Sequence, residues 1–153
     1  MHRLRIRFSR GAEVKFISHL DIIRLWQRAM RRAGIELAYS EGFNPHPKIS
    51  LAAPLALGVT SEAELMDIYT SRLVPQHSFS AGVGRQLPPG MEIIQVYHIA
   101  PTLPSLQAQV RFAEYMVEAA ATEDKSCVEE AIASLLAKEN LPWQHQRDTG
   151  PRN

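Results

Sequence analysis

Residues able to do chemistry concentrate first in the stretch Tyr39–Ser50, YSEGFNPHPKIS. Gly42 permits a tight or left-handed turn. Pro45 and Pro47 fix the backbone on either side of His46. Asn44, His46 and Lys48 therefore project polar groups from a stiffened loop, with Phe43 and Tyr39 at hand for stacking. Basic groups interleaved with aromatics suit a single-stranded nucleic acid, whose phosphates take cations and whose unstacked bases take flat partners. The competing reading is a rigid connector whose Phe43 plugs the core.

A second concentration lies just upstream. Ser18 is a helix N-cap residue, and Asp21, three positions on, makes a capping-box-like pair with it. The helix they open is expected to run to Ala33 and stop at Gly34. At about 100° per residue, Ile22, Trp26, Ala29, Met30 and Ala33 gather on one face. Arg24, Arg28, Arg31 and Arg32 gather on the other, with Lys15 just ahead of the helix. Four guanidiniums on one face repel one another unless something neutralises them. Their planar forks match phosphate. The bland alternative is a solvated face, partly paired with Asp21 and acidic residues elsewhere.

His19 follows the N-cap, at the positive end of the helix. His19, His46 and Asp21 would make a metal or acid–base cluster only if the fold brought them together. No HxH or HExxH spacing supports a metal, so no metal ligand and no catalytic residue is assigned. Cys127 is the single cysteine, which excludes an intramolecular disulfide and any all-cysteine metal site within one chain. Gly82-Val83-Gly84 lacks the rest of a nucleotide-binding glycine pattern.

The chain that must position these residues has 153 of them, 45% hydrophobic and 22% charged, within the range of one globular domain or two small ones. Charge is uneven. Residues 1–50 carry 10 Lys and Arg against 4 Asp and Glu, net +6. Residues 51–153 carry 7 against 12, net −5. A basic N-terminal half suits a polyanion or an acidic protein surface. No apolar run reaches the roughly 20 residues of a membrane span. The N-terminus, MHRLRIRFSR, lacks the apolar core of a secretory signal. A cytoplasmic protein without membrane contact is expected.

Residues 2–8 alternate, Leu4, Ile6 and Phe8 against Arg3, Arg5 and Arg7, and predict a half-buried strand with a basic outer face. Residues 35–39 are a possible short strand and 48–58 an extended segment. A strand from Leu65, a helix over Ser78–Gln86 and a strand over 91–99 follow. The order β-α-β-β-α-β predicts an α+β, ferredoxin-like sandwich over residues 1–100. Residues 101–143 are expected to add a β-α extension packed on it, with a strand over 109–119 and a helix over 126–139. The tail 144–153 is expected to be disordered or cut off before a last strand.

The run KFISHLDIIRLWQRAMRRAGIELAYSEGFNPHPKIS, Lys15 to Ser50, resembles a bacterial family of unknown function, the radical SAM-linked proteins, and Leu51–Ile68 fits it too. Ser18, His19, Asp21, Arg24, Arg28, Arg31, Gly34, Asn44, Pro45, His46, Pro47 and Lys48 carry the match. The rest of the chain fits loosely, and family members generally continue further at the C-terminus. The resemblance implies a protein encoded beside, or fused behind, a radical SAM protein with a B12-binding-type domain. One cysteine cannot hold a radical SAM cluster, so the iron–sulfur cluster, SAM and any cobalamin are expected on that partner and no cofactor in this chain. The expected function is an RNA-binding or substrate-presenting module. Arg24, Arg28, Arg31 and Lys48 would take phosphates, and Phe43, Asn44 and His46 would take bases or the partner. The alternatives are a docking domain that binds no RNA and an RNA-processing enzyme using His19 or His46.

Overall fold

The computed structural model describes residues 1–120, residue 122 and residues 124–141. It forms two compact units, Met1–Ala113 and Glu114–Asn153. The first holds strand β1 (His2–Arg10), helix α1 (His19–Arg32), strands β2 (Ile49–Leu51) and β3 (Ser61–Thr70), helix α2 (Gln76–Gly84), strand β4 (Ile93–Ile99) and one helical turn, α3 (Leu106–Gln109). The sheet is fully antiparallel in the order β2-β3-β1-β4. Two interleaved β-α-β units in this order make the expected ferredoxin-like α+β sandwich.

The core follows from the alternation in β1. Leu4, Ile6 and Phe8 turn to the helices, opposite Ile68, Met66 and Glu64 of β3. Ile22, Trp26, Ala29 and Met30 of α1 and Phe79 and Val83 of α2 close over them. Phe8 and Trp26 meet edge to face, ring centroids 4.9 Å apart, a geometry aromatic quadrupoles favour. Residues 35–39 form isolated bridges instead of the expected short strand: Leu37 pairs with Thr70 and Tyr39 with Pro47.

The other face of β1 departs from expectation. Arg3 is 2% exposed and Arg5 is half-buried, while only Arg7 keeps an exposed position. Both buried-side guanidiniums converge on Asp67 of β3, itself 1% exposed. Arg3 donates through Nη2 at 2.7 Å and Nε at 3.0 Å, and Arg5 through Nε at 2.8 Å and Nη2 at 3.0 Å. Arg3 also donates to the carbonyls of Leu103 and Pro104, and Arg5 to Oε1 of Gln109. Residues 101–109 thus cross the face that alternation assigns to solvent. The arginines hold that cover down. They are no free basic surface.

The predicted strand over 109–119 is absent: α3 ends at Gln109 and residues 110–120 carry no regular element. With Leu106 buried and Arg5 and Gln109 joined, the covering segment closes as a helical turn before the alternating pattern begins. In the second unit helix α4 (Lys125–Leu136) forms as predicted. Its apolar residues Ile132, Leu135 and Leu136 are exposed. The expectation for 144–153 lies outside the described residues.

Candidate nucleic-acid interface

α1 is built as its sequence reads. The Ser18 hydroxyl accepts from the Asp21 amide at 3.2 Å and donates to the Asp21 carboxylate at 2.7 Å. The helix ends where Gly34 takes φ +72° and Ile35 N donates to Met30 O at 2.9 Å. Such a left-handed turn favours glycine. Arg24, Arg28, Arg31 and Arg32 all lie on the exposed face.

They do not stand equally free. Arg24 pairs with Asp21 at 3.0 Å. With the Ser18 hydroxyl, that guanidinium holds the Asp21 carboxyl below the ordinary carboxylate range. Arg32 donates to the side chain and carbonyl of Gln86, at 3.0 and 2.7 Å, and so ties α1 to the end of α2. Among the described residues Arg28 and Arg31 make no side-chain hydrogen bond or ion pair. Asp21 and Glu36 are the acidic residues nearest them in the site, and each already has another arginine partner, Arg24 and Arg72.

The loop after the helix is a closed hairpin. Lys48 N donates to Ala38 O at 2.8 Å and Ser40 N to His46 O at 2.9 Å. The Ser40 hydroxyl accepts from the His46 amide at 3.1 Å and meets Nδ1 of the imidazole at 3.0 Å. Ser40 thus fixes both the backbone and the ring of His46. At the tip Gly42 has φ +126°, which a side chain would strain. Phe43 stands fully in solvent at 107% relative exposure and is no plug for the core. Asn44 is exposed beside it.

Helix and loop meet in a cleft of about 340 Å³. Gln27 and Arg31 of α1 line it together with Ile35, Leu37, Tyr39 and Pro47, and so does Glu36, whose carboxylate is paired with Arg72 at 3.2 Å. The arrangement offers a cation, an amide and an aromatic ring beside the apolar Ile35 and Leu37, with a carboxylate that Arg72 already engages. A flat heterocycle carrying a phosphate has the complementary chemistry. Lys48 lies past the loop, in a second cleft with Met1, Ser50 and Tyr69.

The remaining expected residues are placed elsewhere. Lys15 lies over the Phe16 ring, 5.2 Å from its centroid. Its carbonyl takes the amide of Gly58 at the start of α1. His19 is also at that start, whereas Arg31 reaches the His46 loop from the opposite end. Twelve residues separate them, about 18 Å of helix axis. The fold therefore does not bring His19 and His46 together. Among the described residues no three His, Cys, Asp or Glu side chains are grouped to hold a metal ion. No helix among the described residues is long and apolar enough to cross a membrane.

Sequence reasoning missed Gln27 and Ser40. Gln27 was legible, since it precedes Arg31 by four positions and therefore shares its face. Ser40 was not, because its role needs the hairpin closed.

Comparison with curated proteins returned no match. The family model described as an uncharacterized protein conserved in bacteria, DUF2344, matches residues 3–153. The chain belongs to the DUF2344 family of bacterial proteins.

Proposed function

We propose that the chain is an accessory module that binds single-stranded RNA and presents it to a radical SAM enzyme encoded beside or fused to it. The observation that carries this reading is the cleft between α1 and the loop. There Arg31, Gln27 and Tyr39 line one cleft with Ile35 and Leu37, one helical turn from Arg28, and the same loop carries the solvent-facing Phe43 at its tip. Arg28 and Arg31 supply phosphate contacts. Tyr39 and Phe43 supply stacking planes, and Gln27 and Asn44 donors and acceptors for base edges. The radical SAM partner rests on the signature spanning Lys15–Ser50. The cluster, SAM and cobalamin chemistry belongs to that partner, and this chain supplies binding and orientation.

RNA binding titrated across a salt series tests the reading. Neutralising phosphates releases counterions, so affinity falls steeply as salt rises. Arg28→Glu/Arg31→Glu is expected to abolish measurable binding and leave the circular dichroism spectrum unchanged. Absence of binding to the native chain at low salt overturns the proposal. The exposed Phe43 also suits a protein partner. Capture of the radical SAM enzyme by nuclease-treated protein, abolished in Phe43→Ala, would instead make this face a docking surface.

A further inference from the structure

The sheet has two edges, and they are treated differently. The β2 edge is three residues long, with Pro47 before it and Pro54 after it. Its Leu51 carbonyl is already taken by Nε2 of Gln107 at 2.8 Å. Short, proline-flanked, covered edges resist pairing with other chains. The β4 edge is seven residues, IIQVYHI, with no proline and no Asp, Glu, Lys or Arg. Among the described residues its backbone pairs only with β1. Ile94 and Tyr97 are exposed.

The helix beside it has the same character. α2 packs against β4 and reads QHSFSAGVG, again without Asp, Glu, Lys or Arg. Those four residue types make up 22% of the chain, yet these two neighbouring elements hold none. Depletion of charge marks the centre of protein interfaces. We infer that two copies of this chain associate about a two-fold axis through this edge, β4 pairing antiparallel with β4 of the second copy. A two-fold axis sets the centre of each strand against itself, so a charge near that centre would approach its own copy. A strand without such charges escapes that repulsion. A different partner would be selected by opposite charges, which this edge does not offer. Centred on Val96, the pairing sets Ile94 near His98 of the other strand and Gln95 opposite Tyr97.

Sedimentation of the nuclease-treated full chain across a wide concentration range tests this without involving RNA. The expected mass is twice 17.2 kDa, falling to one copy in Ile94→Lys/Tyr97→Lys with unchanged circular dichroism. A native chain that sediments as one copy throughout overturns the inference. So does a folded lysine variant that stays dimeric. Should the variant fail to fold, hydrogen exchange of the native β4 amides decides. Protection that rises with protein concentration supports the two-fold pairing. Protection independent of concentration means that the chain covers its own edge, and overturns it.

Discussion

Two sets of arginines in the basic N-terminal half look alike in sequence and differ entirely in use. Arg3 and Arg5 of β1 alternate with apolar residues, as a solvent-facing strand face does. Arg28 and Arg31 of α1 lie opposite an apolar stripe, as a solvent-facing helix face does. The first pair is buried on Asp67 under residues 101–109. The second remains exposed, without a partner among the described residues. Desolvating a guanidinium is costly unless a carboxylate and further acceptors replace its water. Arg3 has both, and serves to hold the fold. Arg28 and Arg31 make no ion pair or side-chain hydrogen bond among the described residues, and their phosphate-matching forks stay available.

The sharpest way to break this comparison is Asp67→Ala. Two guanidiniums would then lie on a covered face without their counter-ion, and stability should fall by about 3–5 kcal/mol. A urea unfolding curve reads it. The triple replacement Arg3→Met/Arg5→Met/Asp67→Leu should cost less than the single one, because no uncompensated charge is left buried. Arg28→Ala should shift stability by no more than about 0.5 kcal/mol, as surface substitutions do. Equal effects at Asp67 and Arg28 would end the distinction between the two sets.

Next in size is the effect of the α1 arginines on binding. With Arg28→Ala/Arg31→Ala, the slope of log affinity against log salt should flatten by about 0.7 for each single-strand phosphate that is no longer neutralised. Arg24→Ala and Arg32→Ala should flatten it less, since Asp21 and Gln86 already engage those side chains. A uniform response along the helix would mean that the local pairing does not matter. Phe43→Ala should follow. It buries nothing in the free chain, so stability should hold, while removing one stacking plane costs about 1–3 kcal/mol of binding. An unchanged affinity would remove the loop tip from the interface.

The contrast also shows what the sequence could carry. α1 was legible in full, because cap, stripe and stop are all written along the helix itself: Ser18 caps Asp21, Trp26 shares one face with Ile22, Ala29 and Met30, and Gly34 turns the chain back to Met30. The ferredoxin-like order was legible from alternation and breakers. The cover over Arg3 was not, since it comes from residues about a hundred positions away, and alternation reports only that one face differs from the other. The strand expected over 109–119 failed for a related reason. An alternating pattern licenses a strand, yet a strand forms only against a neighbour. The cleft was half legible. Arg31, Tyr39 and Pro47 stood out separately, but their meeting depends on the Leu37–Thr70 bridge that ties the segment after α1 to the end of β3.

The smallest expected effect sharpens the same contrast between buried and exposed charge, now in carboxylates. Glu64 faces the helix side opposite Phe8, and burial pushes its carboxyl up, against the opposing pull of the Ser61 hydroxyl and Arg10. In the folded chain it keeps its proton to higher pH than in the unfolded chain. Its contribution is therefore fully present below the ordinary carboxylate range and is lost as pH rises through the folded value. Exposed Asp21 has the opposite sign. Its lowered carboxyl contributes above that range, and the contribution is lost as pH falls through the folded value. Glu64→Gln should accordingly be more stable than the native chain at neutral pH, with the gap closing on acidification. Asp21→Asn should be less stable at neutral pH, with its gap closing the same way. Urea midpoints along a pH series measure both. Gaps of the same sign at neutral pH would mean that burial does not dominate at Glu64, and that Arg10 holds it as Arg24 holds Asp21.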